Sequence, residues 1–231
     1  MQLIDIRSTL IDIFPVDALD FMSLMTDSFS ATIANQFGCG RLNMPTPSGN
    51  PGLVYSFGKI AIEGKTKIID RIVIEERRII VTIGGSSEDA KFLMSSIIAL
   101  ISKFETRHES RPLQSVIEID EVQCTVHLKF NFERLFLGSV AYTIPDSLKS
   151  LAQVAPLSLK AEIVPFGLRF KIRYLGESEV LKSHSVSMAD KYLSIEVREG
   201  TSLQSQVFLA SAPVRSEILL KLLESLEREI G

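Results

Sequence analysis

Short runs of β-branched and aromatic residues, parted by turns of two or three residues, constrain this chain more than any other feature. Residues 53–63, 66–74 and 78–83 read as three successive strands, with Gly64-Lys65 and Glu75-Glu76-Arg77 in the turns. Farther on, Val122, Cys124, Val126, Leu128, Phe130 and Phe132 alternate with Gln123, Thr125, His127, Lys129 and Asn131. A period of two sets one face in a core and one in water. Further strands read over 3–14, 138–144, 157–164, 168–174, 179–188, 191–198 and 204–210, the pair 179–188 and 191–198 turning at Ala189-Asp190. No β-α-β-α-β alternation is present, which argues against a doubly wound nucleotide fold.

Helices fall between these runs. Leu19, Met22, Met25, Phe29, Ile33 and Phe37 repeat at a helical period, so 16–37 reads as one amphipathic helix after Pro15. Ser86 precedes Asp89 by three, a capping-box spacing, and opens a helix to about Phe104 whose face carries Leu93, Ile97, Leu100, Ile101 and Phe104. Pro145-Asp146 opens a short helix to about Ala155. A last helix shows Ile218, Leu219, Leu222, Leu223, Leu226 and Ile230. Between 38 and 52, four glycines and three prolines leave nothing regular, and a loop this long in a compact domain is usually functional or mobile.

The two parts of the chain share a pattern. IFPVDALDFM (13–22) and TIPDSLKSLA (143–152) both read as strand end, proline, aspartate, helix. A shift of 114 sets Ile72, Ile74, Ile79, Val81 and Ile83 on Val186, Met188, Leu193, Ile195 and Val197. The second part adds a hairpin over 113–131 in front. The expected fold is therefore α+β, with antiparallel sheets, helices packed on one face, and two related β-α-β-β-β-α halves. The halves span 1–105 and 112–231, joined at the charged ETRHESR stretch, and one continuous domain is the alternative.

Composition limits the functional classes. The 231 residues carry a net charge of −3 and are 45% hydrophobic, which excludes a disordered chain and disfavours a nucleic-acid surface. Cys39 and Cys124 lie too far apart for a zinc pair or a disulfide framework. The first residues have no basic leader, and the apolar tract from Phe92 to Phe104 is too short to span a bilayer, so a cytoplasmic protein without a transmembrane segment is expected.

Candidate chemistry is sparse. Gly84-Gly85-Ser86-Ser87 could offer backbone N–H groups to an anion, but no lysine follows, and Glu88 and Asp89 would repel phosphate. His108, His127 and His184 share no metal-ligand spacing, and His127 and Cys124 point to opposite faces of one strand. No catalytic, cofactor-binding or metal site is assigned. Arg169, Lys171 and Arg173 form the sharpest local feature, a basic row on one strand face that would attract an anionic partner unless acids on neighbouring strands pair it. Phe170 and Tyr174 point the other way, which disfavours RNA. Arg41, Asn43 and Asn50 give the 38–52 loop polar groups for a binding role. The expectation is a non-catalytic binding or protein–protein interaction module, a subunit of a larger assembly or a homo-oligomer. The alternatives are a carrier of a small apolar ligand between sheet and helices, and an enzyme whose site is assembled from distant residues.

Overall fold

A computed structural model describes residues 1–42, 45–46, 49, 51–104, 113–130, 166–172, 179–183 and 190–230. The chain is α+β, and its described residues build one antiparallel sheet of nine strands. In chain order the elements are β1 (Gln2–Ile13), α1 (Phe21–Leu24), α2 (Asp27–Phe37), β2 (Gly40–Leu42), β3 (Gly52–Ile62), β4 (Lys65–Glu75), β5 (Arg78–Ile83), α3 (Ser87–Phe104), β6 (Ile117–His127), β7 (Gly167–Ile172), α4 (Glu179–Ser183), β8 (Lys191–Val197), β9 (Val207–Ala212) and α5 (Ser216–Ile230). Across the sheet the order is β2-β3-β4-β5-β1-β6-β9-β8-β7.

The strand β1 is therefore central. It pairs with β5 on one side, from Ser8↔Ile83 to Ile13↔Arg78, and with β6 on the other, from Gln2↔His127 to Ile13↔Ile117. The connection from β3 to β4 is a two-residue turn in which Glu63 and Gly64 both have positive φ, 49° and 74°, the backbone hand that matches strand twist.

Alternation assigns the two faces. Leu10, Ile72, Ile74, Ile79, Val81 and Ile83 pack under α2 and α3 in one apolar core. Phe29 of α2 meets Phe104 of α3 edge to face, with centroids 5.2 Å apart. Val122, Cys124, Val126, Ile195, Phe208 and Ala210 form a second core with Leu219 and Leu223 of α5. Because Ser8 and Leu10 stand opposite Val122 and Asp120, both cores lie on the same side of the sheet. On the other side the one apolar cluster buried among the described residues is small: Val54, Val73 and Ile80.

At the β1·β6 centre the N-termini of α3 and α5 meet. The Ser87 amide donates to Ser216 Oγ at 3.1 Å, and the Ser216 amide donates to Ser87 Oγ at 2.9 Å. Each serine satisfies an amide that its partner helix leaves unpaired in its own first turn. The capping box at Ser86 is present: the Asp89 amide donates to Ser86 Oγ at 3.2 Å and the Ser86 amide to Asp89 Oδ2 at 2.8 Å.

Four expectations are corrected. The 38–52 stretch is not wholly irregular, since Gly40–Leu42 pair with β3 as the edge strand β2. Residues 16–37 do not form one helix. Asp17 takes a positive φ of 60°, Thr26 is extended, and its hydroxyl accepts from the Phe29 amide to start α2 afresh. In place of the hairpin expected over 113–131, the described residues 113–130 hold a single strand, β6, because the long edge of β1 templates it from end to end. Residues 179–183 are a short helix with Glu179 at its start and Lys182 at its end, the charge order that a helix dipole favours. The expected elements at 138–144, 145–155 and 157–164, the ETRHESR linker, and residues 184–188 lie outside the described residues. No described helix is long and apolar enough to cross a membrane.

Candidate functional site

With α2, α3 and α5 on one side, no described helix covers the opposite face of β1, β6, β9, β8 and β7. Register decides what it carries. Arg169 stands opposite Ser194, Lys171 opposite Tyr192, Ser194 opposite Ser211, and Gln123 opposite Ser211. The result is a polar floor, in which Ser194 and Ser211 share a hydroxyl hydrogen bond of 2.9 Å and Thr9 and Thr82 one of 3.0 Å. A cleft of about 400 Å3 crosses this floor, lined by Arg7, Thr9, Glu121, Gln123, Lys191 and Tyr192.

The basic row is placed on this face, and two of its members are partnered. The Arg169 guanidinium lies 4.0 Å from the Tyr192 ring centroid, a stacked cation–π contact. Lys171 forms an ion pair with Asp190, whose hydrogen bond holds the exposed ammonium in its charged form and raises its pKa. Arg173 lies outside the described residues. Of these partners only Asp190 is an acid, and it lies just ahead of β8. Tyr192 also puts an aromatic ring on the basic face, where Phe170 and Tyr174 could not. Nothing local reveals this, since the β7·β8 register spans a connection of some eighteen residues.

Arg41 lies on β2, at the opposite end of the sheet from β7, with Nη1 3.5 Å from Ser30 Oγ. Asn43 and Asn50 lie outside the described residues, so the loop group is not assembled with the basic row. The Gly84-Gly85-Ser86-Ser87 turn faces an anion of its own chain, with the Ser86 amide donating to Asp89 Oδ2 at 2.8 Å. A Cβ on Gly85 would come within 2.3 Å of Asp89 Oδ2, and that carboxylate is bonded to Lys67 at 2.9 Å. Burial works to raise the Asp89 pKa, but the bonds to Lys67 and Ser86 outweigh it and lower it.

Sequence reasoning passed over one charged cluster on the helix-covered side of β1·β6. Asp12 stands opposite Glu118, with Asp120 two residues along. Lys91 of α3 bonds Glu118 at 2.8 Å, and Arg215, just ahead of α5, lies 3.4 Å from Asp120 and 3.6 Å from Glu118. Asp12 is only 5% exposed, and burial first, then Glu118, pushes its carboxyl up to about 6. Burial, aided by Glu118, also raises Asp120. The signal was five aspartates within residues 1–50, but only strand pairing shows that one of them is buried beside two more acids.

The thiols are poor nucleophiles. Burial raises Cys39 to about 11 and Cys124 to about 12, and the thiolate is the reactive form. Cys124 points into the core under α5, and His127 lies on the open face with Nδ1 buried. Among the described residues no three His, Cys, Asp or Glu side chains are grouped to hold a metal ion. The helix faces that a carrier would use to line a cavity pack straight onto the strands: Leu93, Ile97, Ile101 and Leu223 are fully buried. No family model and no curated protein matches the chain.

Proposed function

We propose that the protein is a non-catalytic binding module, working as a subunit of a larger assembly, that meets a macromolecular partner with the face of its sheet that bears none of the described helices. The observation that carries this reading is the one-sided packing. All three long helices and both large cores share one face, and the other presents Arg7, Gln123, Arg169, Lys171, Tyr192, Ser194 and Ser211. A broad polar sheet with a few ordered side chains suits surface recognition better than chemistry on a small substrate.

The same reading takes the chain as two related β-α-β-β-β-α halves. Strand order supports it, running β3-β4-β5-β1 on one side of the centre and β7-β8-β9-β6 on the other. In each half the strand residue facing the centre of the first strand, Ile83 against Ser8 and Ala212 against Val122, precedes by four the serine that opens the helix. Ser8 and Val122 also face each other. These positions favour matching β5 with β9, not with residues 192–197 as the hydrophobic pattern implies. The basic pair then belongs to the outermost described strand of the second half, giving the halves different surfaces on one frame.

Photo-crosslinking in cells tests the partner face. A crosslinker in place of Gln123, on the open face, is expected to give a discrete adduct, and one in place of the exposed Phe92 on α3 is not. Arg169→Glu with Lys171→Glu should abolish the Gln123 adduct. Adducts from Phe92 alone, or none from either position, would count against the open face.

A further inference from the structure

The sheet has a gap in it. On the β1 side, β5 pairs only from Ser8 onward, although β1 continues back to Gln2 and remains paired with β6 there. On the β4 side, β5 pairs only from Ile69 onward, although β4 continues back to Lys65, paired with β3. Beyond Ile83 the chain leaves the sheet: the Gly84 amide still donates to Ile68 O at 2.8 Å, and Gly85 turns into α3. Two strands that flank a third stand about 9.6 Å apart, twice the inter-strand spacing, so the space past the end of β5 is one strand wide. A cleft of about 520 Å3 opens there, walled by Leu3, Ile4 and Ile6 on one side, Thr66 and Ile68 on the other, with Gly84 at its end.

Backbone direction follows from the pairing. Gly84 points its amide at β4, so Ile83 points its backbone groups at β1, and Ser8 returns the contact. Alternation then turns Ile6, two residues back, into the gap, and Thr66, two residues before Ile68, faces it from the other wall. No described strand pairs with either residue from that side. Three of the large apolar side chains left in solvent lie here as well: Leu3 is 41%, Ile4 49% and Ile68 56% exposed. The lining charges, Asp5, Arg7, Lys67 and Asp70, sum to zero, and Arg7 pairs with Asp70 at 2.8 Å while Lys67 pairs with Asp89.

We infer that this gap is a binding site for an extended, uncharged peptide segment of four to five residues, which enters as a strand between β1 and β4 and continues the line of β5. Its main chain bonds to Ile6 and Thr66, and apolar side chains cover Leu3, Ile4 and Ile68. Recognition through the main chain is tolerant of sequence, as in other strand-addition sites. The neutral lining selects against charged segments. The site lies past the end of β5, shares only Arg7 with the open-face cleft, and does not depend on that reading.

The probe is the blocked peptide Ac-TVTIT-NH2, with the same peptide N-methylated at alternate amides as control. Amide hydrogen exchange of the whole chain is followed by NMR up to millimolar peptide. The expected result is at least a tenfold slowing of exchange at Ile6 and Thr66 with the plain peptide and none with the methylated one. Thr66→Pro, which removes an amide that faces away from β3, should weaken binding at least tenfold while the fold is kept. Equal binding of both peptides, or no protection at millimolar peptide, would overturn the proposal. So would protection that rises with protein concentration alone, which would assign the gap to a second copy of the chain. The Gln123 crosslink is unaffected in any of these outcomes.

Discussion

Asp12 lies under α3 with a carboxyl that burial and Glu118 have raised from 3.8 to about 6. The unfolded chain releases that proton more readily than the folded one. Stability held by the protonated form is therefore fully present below pH 3.8 and is lost as pH rises through about 6. At 1.36 kcal/mol for each pKa unit, the charged carboxylate costs the folded protein up to about 3 kcal/mol at pH 7. The Asp12→Asn substitution keeps the shape and an acceptor for Ser115 but carries no charge. It should raise the unfolding free energy at pH 7 by up to about 3 kcal/mol and leave it nearly unchanged at pH 4. With a urea slope of about 3 kcal/mol/M, the midpoint moves upward by about 1 M at neutral pH. The assay is urea unfolding of both proteins at half-unit steps from pH 4 to 7.5, followed by far-UV circular dichroism. The diagnostic is the difference between the two curves, which must open between pH 4 and 6.5. Parallel curves, or a variant less stable at pH 7, would refute the account, because either means that Asp12 is ionised without penalty.

Two further outcomes follow from packing. Ser87→Ala and Ser216→Ala each remove one half of the reciprocal contact and leave a buried amide unpaired, at a cost of about 1–2 kcal/mol each. The double variant should cost measurably less than the sum in a thermal double-mutant cycle, since parting the helix ends once weakens both bonds; strict additivity would show that the two bonds are independent. Gly58→Ala sets a methyl 2.1 Å from Cys39 Sγ and 2.7 Å from Phe37 O, which should cost about 2–3 kcal/mol of stability. Cys39→Ala should restore only part of that loss, because the Phe37 carbonyl remains in the way, and full recovery in thermal unfolding would place the clash on the thiol alone.

Legibility in the sequence followed the range of the forces involved. The strands β3, β4 and β5 and the helices α3 and α5 appear within a residue or two of where pattern places them, because short turns and a strong period leave little choice. The break between α1 and α2 was hidden. The apolar period runs on through Thr26, and the decision rests on one hydroxyl reaching the Phe29 amide. Residues 117–127 were read as part of a hairpin because only β1, more than a hundred residues earlier, makes them one strand. The basic row was visible as alternation, yet its partners Tyr192 and Asp190 depend on long-range register. Asp12 carries no local sign of burial, which is a property of three elements at once.

The central place of β1 also governs the order in which the molecule can be completed. Once α3 has been made, β1 can pair with β5, but its other edge, twelve residues long, waits for β6. His127 lies 23 residues beyond Phe104. At ribosomal speed that is a delay of roughly one to five seconds. During it the nascent chain shows an uncapped edge bearing Leu3, Ile4 and Ile6, the kind of surface that recruits stray strands. Synthesis, more than the finished fold, is where this protein is exposed to aggregation, and slowed translation between residues 105 and 127 would lengthen that exposure.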